Sequence, residues 1–101
     1  MINDSRLLCD FFRNEHVNFH IAENFLKIYG IDINVQDSDG ETSLMILVHN
    51  NNIELVKLLL KYGADMNIPD NNRNTPLMIA RRKGFIEVAK ILASGAPDEM
   101  P

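Results

Sequence analysis

One passage of this chain is written twice. Asp37, Thr42, Leu44, Met45, Ile53, Glu54 and Lys57 return as Asp70, Thr75, Leu77, Met78, Ile86, Glu87 and Lys90, each 33 residues further on. Near the end the copy loses a residue, and Gly63-Ala64 returns as Gly95-Ala96 at a spacing of 32. A unit of this length cannot bury its own apolar face. The period therefore predicts stacked supersecondary units rather than a globule around a closed active site.

Apolar periodicity places a pair of helices in each unit. In the first, Asp4 or Ser5 is expected to cap a helix running to about Asn14, with Leu7, Leu8, Phe11 and Phe12 on one face. Asn18 caps a second, with Ile21, Ala22, Phe25, Leu26 and Tyr29 inward and Gly30 as its stop. In the second unit Thr42 caps the helix that starts at Ser43, Asn50-Asn51-Asn52 makes the turn, and Ile53 to Tyr62 forms the partner helix, ended by Gly63. Asparagine tolerates left-handed backbone better than other non-glycine residues, which suits that turn. In the third unit Thr75 caps and Pro76 takes the first helical position, where a missing N–H costs nothing. Gly84 then turns the chain into a last helix from Phe85 to Ser94, ended by Gly95. The connections 30–41 and 63–74 are rich in Asp, Asn, Gly and Pro and read as tight turns.

With 101 residues the chain makes one small domain, and 46% hydrophobic residues supply a core. The net charge of −4 disfavours a general nucleic-acid binder and gives no attraction to an anionic membrane. A single cysteine, Cys9, excludes an internal disulfide and fits a reducing compartment. The first residues lack the apolar core of a secretory signal, and no apolar run approaches the roughly 18 residues of a membrane span. An intracellular, most simply cytoplasmic, protein is expected.

His16 and His20 have the i,i+4 spacing of two metal ligands on a helix, with Cys9 a possible third. The segment straddles a turn and no further Cys or His completes a set, so surface histidines and a core cysteine are expected instead. No glycine-rich phosphate cradle or nucleophile motif occurs, and an enzyme is not expected. Asp32, Asp37, Asp65 and Asp70 recur with the period and read as turn caps. The basic run Arg81-Arg82-Lys83 suits a phosphate or an acidic partner, but reads more simply as a solvated helix end favoured by the dipole. No cofactor or metal is expected.

The run Thr75-Pro76-Leu77-Met78-Ile79-Ala80, the stretch Asn52 to Asn67 and the closing Gly95-Ala96 resemble the ankyrin repeat. The resemblance covers Gly30 to Ala96, and Gly30 to Asn34 looks like the end of an earlier, degenerate repeat. It implies an all-α solenoid of about three stacked helix-turn-helix units, 1–36, 37–69 and 70–101, joined by hairpin-like loops. Several residues depart from the family pattern. Met45 and Met78 replace its His, so thioether packing should replace a Thr–His hydrogen bond. Ser43 stands for its Pro, Asn51 for a turn Gly, and Arg73 for the Gly at a finger base, where a positive φ would be uncomfortable. Arg81, Ala93 and Ser94 suit a unit that caps the stack, so a natural last repeat is expected here.

The resemblance further implies a non-enzymatic protein–protein interaction module or adaptor, without a small-molecule substrate, binding through finger loops and the concave helix face. Carried over, the partner-binding positions are Ser38, Asp39, Glu41, His49 and Asn50 in the second unit and Asn71, Asn72, Asn74, Arg82 and Lys83 in the third. They run from acidic at the first finger to basic at the third unit, which predicts a partner of complementary gradient. Two alternatives accompany this reading. One is a self-associating structural protein using Phe11, Phe12, Phe19 and Phe25, between a monomer and weak self-association. The other, suggested by heavy use of Asn and Ile, is a host-directed ankyrin effector of a virus or intracellular microbe.

Overall fold

The computed structural model describes residues 7–28 and 31–94. Among them are six helices and no strand: α1 Leu7–Arg13, α2 Phe19–Ile28, α3 Ser43–His49, α4 Ile53–Lys61, α5 Pro76–Lys83 and α6 Ile86–Ser94. The caps follow the side chains. Thr42 and Thr75 lie in extended backbone, and their hydroxyls accept from the amides of Met45 and Met78, each at 3.3 Å. Asn52 Oδ1 accepts from Leu55 N–H at 3.2 Å and Asn18 Oδ1 from Ile21 N–H at 2.9 Å. The turns inside the second and third pairs are alike. Asn51 (φ 54°) and Gly84 (φ 76°) take the left-handed position. Asn52 N–H then reaches Leu47 O and Phe85 N–H reaches Ala80 O, satisfying carbonyls that the helix end would leave open.

The helices form two rows. α1, α3 and α5 pack side by side, α2, α4 and α6 form the second row, and α3–α4 and α5–α6 contacts bind the rows together. The core runs continuously from Leu8 and Phe12 through Leu44, Leu47, Val56 and Leu59 to Ile79, Val88 and Leu92. α3 is the centre: Ser43 through Val48 are all buried, and only His49 of the helix reaches solvent. A helix apolar all round requires neighbours on every side, which α1, α5 and α4 supply.

Several expectations are corrected. Leu7 is 56% exposed and Ile21 48%, so neither belongs to the core stripe. Position 21 aligns with Glu54 and Glu87, the outward position of the other second-row helices. Tyr62 caps α4 instead of continuing it, and Phe85 precedes α6. Met45 packs with no exposure, as expected, but Met78 is 44% exposed, because α5 packs mainly on α3 and α6 among the described residues, whereas α3 is enclosed by α1, α4 and α5. Arg73 does hold a positive φ of 67°. The proposed caps Asp4 and Ser5, and the positions Tyr29, Gly30 and Gly95, lie outside the described residues.

Candidate partner-binding surface

Two tight loops project from the inner row, and each is closed by its first aspartate. Asp37 N–H donates to Glu41 O and Asp70 N–H to Asn74 O, both at 2.9 Å. Asp37 Oδ1 accepts from the amides of Asp39 and Glu41 at 2.9 Å, and Asp70 Oδ1 from those of Asn72 and Asn74 at 2.8 and 2.9 Å. Asp32 and Asp65 make the same turn with the amides two residues on, at 3.0 and 2.8 Å. All four periodic aspartates therefore organise turns. The amide donated by Asn74, with that of Asn72, holds the Asp70 carboxyl below the usual carboxylate range despite some opposing desolvation.

The loops are also tied to one another. Asn34 Oδ1 accepts from Asp65 N–H at 2.7 Å, and Gln36 Nε2 donates to Gly40 O at 2.8 Å and to Pro69 O at 3.0 Å. At the tips, Asn71 donates its amide to Asp39 O at 3.1 Å and its side-chain NH2 to Ser38 O at 2.9 Å. Ser38, Asp39, Asn71 and Asn72 thus form one exposed edge.

Behind that edge, one construction repeats along the inner row. His49 Nε2 lies 3.1 Å from Glu41 Oε2, and Arg82 Nη2 donates to Asn74 Oδ1 at 3.0 Å. In both cases a residue in the last turn of an inner helix is held by the finger residue eight positions earlier. Arg13 ends α1 as His49 ends α3, and is held between Asp10, at 2.9 Å, and Asp37. Arg13, Glu41, Ile46, His49 and Asn50 line a groove of about 420 Å³ between the first two units. Asn50 is the C-cap of α3. Lys83 departs from the row, because its ammonium lies 5.9 Å from the Phe85 ring centroid at the α5–α6 turn.

Cys9 is fully buried, and burial pushes its thiol pKa up, so it stays neutral. His16 and His20 are exposed, and no three His, Cys, Asp or Glu side chains among the described residues converge as a metal site. The aromatic residues of the first unit are mostly spent internally. Phe12 is buried, and Phe11 stacks on Phe25 with centroids 4.4 Å apart, joining α1 to α2. Of the four, only Phe19 is exposed.

The sequence reading missed Arg13, Gln36 and Asn34. Arg13 escapes the 33-residue period because the helix ends Arg13 and His49 are 36 residues apart. The polar side chains that cross from one loop to the next carry no pattern of their own within a unit.

A family model described as ankyrin repeats, in three copies, matches residues 12–99. No curated protein gives a significant match to the chain.

Proposed function

The chain belongs to the ankyrin repeat family, whose members are generally protein–protein interaction modules, and from that premise we propose that it is a non-enzymatic adaptor gripping a protein partner across its finger tips and inner helices. The observation that carries this reading is the repeated construction just described. Arg13, His49 and Arg82 lie in the last turns of α1, α3 and α5, and each is fixed by a carboxylate or amide at a finger base. Side chains already held in place lose little entropy when a partner arrives. The surface joins the exposed Ser38, Asp39, Asn71 and Asn72 to Glu41, His49, Asn50, Asn74 and Arg82, with Lys83 at its margin.

The surface is polar and of mixed sign, so charge orients the partner more than it adds affinity. The direct test is affinity capture from a lysate of the source cell, comparing the wild type with an Asn74→Ala/Arg82→Glu/Lys83→Glu variant of unchanged helicity. A partner lost only with the variant supports the reading. A partner retained at full yield by the variant overturns the assignment to this face. Retained binding in an Asp39→Lys/Lys83→Glu pair would remove the charge gradient from the argument while leaving the face.

A further inference from the structure

The third unit carries different residues at positions that the second unit packs within the stack. Val48, Val56 and Leu60 of the second unit correspond to Arg81, Ala89 and Ala93 of the third. Val48 and Val56 have no exposure. Glu23, at the Val56 position of the first unit, approaches Tyr62 Oη at 3.4 Å and Lys61 Nζ at 3.9 Å in the next unit. The position shared by Glu23, Val56 and Ala89 therefore faces the following unit in the first pair of units. In the third unit two of the three positions are cut back to alanine, and a groove of about 320 Å³ is present there. Phe85, Ile86, Ala89 and Ala93 line it, and Ile86 is 69% exposed. Arg81 and Lys90 line it as well, and no carboxylate among the described residues does.

We propose that this groove docks a single amphipathic helix of a partner protein, one whose apolar stripe is flanked by carboxylates. Two observations select that occupant. These positions belong to a surface that receives helices at both earlier junctions, α1 on α3 and α2 on α4, then α3 on α5 and α4 on α6. Replacing Val and Leu by Ala at 89 and 93 makes room for the side chains of an incoming helix. The charged lining residues are cationic although the chain carries a net charge of −4, so the local sign favours an acidic ligand over a neutral or basic one. The groove shares no residue with the finger surface, which it adjoins at Lys83, whose ammonium lies 5.9 Å from the Phe85 ring centroid.

The test is fluorescence anisotropy on the full chain with a labelled helical peptide of about 18 residues, apolar at i, i+3, i+4 and i+7 and flanked by Glu. The control is the same peptide with Lys in place of Glu. The Glu peptide should bind saturably at one per chain and at least about tenfold more tightly than the Lys peptide. Ala93→Glu and Arg81→Glu change exposed residues and should each weaken binding by about tenfold or more, with unchanged circular dichroism. His49→Ala in the finger surface should leave it unchanged. Absence of saturable binding, equal affinity for the two peptides, or full affinity in Ala93→Glu would overturn the proposal. A molecular mass that rises with concentration and is restored to monomer by Ala93→Glu would assign the groove to a second copy and overturn it equally.

Discussion

Asn71 rests directly on Gly40: a Cβ built at position 40 would stand 2.5 Å from Asn71 Oδ1 and 2.6 Å from its amide nitrogen. Gly40 also holds φ 78°, so it meets two demands at once, backbone conformation and the passage of the next finger. Gly84 has a similar φ of 76°, but a Cβ there would meet nothing within 4 Å. Gly40→Ala should therefore destabilise by about 3 kcal/mol, and Gly84→Ala by about 1 kcal/mol. Urea denaturation of the two variants checks the ranking.

Arg73 occupies the position of Gly40 in the third unit, with φ 67°. It carries the strain of a side chain in left-handed backbone, where glycine is favoured. Arg73→Gly should raise stability by about 0.5–1 kcal/mol, the relief of strain exceeding the entropy cost of glycine. An unchanged or lower denaturation midpoint would contradict this.

Met45 and Met78 occupy the same place in their units, but one has no exposure and the other 44%. Met45→Ala opens a cavity at the centre of the stack and should cost about 3 kcal/mol. Met78→Ala removes a half-solvated side chain and should cost less than about 1 kcal/mol. Thermal unfolding of both resolves the difference.

The Asp70 carboxyl titrates below its ordinary value because of the Asn74 and Asn72 amides. Its contribution to stability is present above the unfolded pKa, about 4, and is lost as pH falls through the lower folded value. Wild type and Asp70→Asn should therefore differ near neutral pH and converge in acid. A stability gap that stays constant from neutral pH down to strong acid would show that the charge of Asp70 does not matter.

Burial raises the Cys9 thiol pKa. The neutral thiol is favoured in the fold, so this group's contribution falls as pH rises past the unfolded thiol value of about 8.5. An aromatic disulfide reagent should modify Cys9 only at the rate at which α1 opens, and promptly in denaturant. Fast labelling of the folded chain would contradict the burial.

The parts of this fold that recur were legible in the residues. Thr42, Thr75 and Asn18 announce helix starts by short-range chemistry, and Asn51 and Gly84 mark turns that need a left-handed residue. What was not legible depends on neighbours. Leu7 and Ile21 are apolar letters within helical patterns, but their place in the stack leaves them in solvent. Met78 repeats Met45 as a letter, but α3 is enclosed by α1, α4 and α5, whereas α5 packs mainly on α3 and α6 among the described residues. The candidate surface divides in the same way. Glu41, His49, Asn74 and Arg82 follow the period, whereas Arg13 falls three residues outside it. The pairings of Asn71 with Ser38 and of Gln36 with Pro69 appear only once the loops lie side by side.

Enclosure of α3 by α1, α5 and α4 sets the order in which the molecule breathes. Amide protons of the outer helices can exchange when one end unit loosens. Those of Leu47 and Val48 must await the rarer event in which the centre itself is released. A partner that clamps the row Arg13, His49 and Arg82 joins all three units at once. Its signature in deuterium uptake would then be a longer lifetime for α3, a helix from which only His49 reaches the surface.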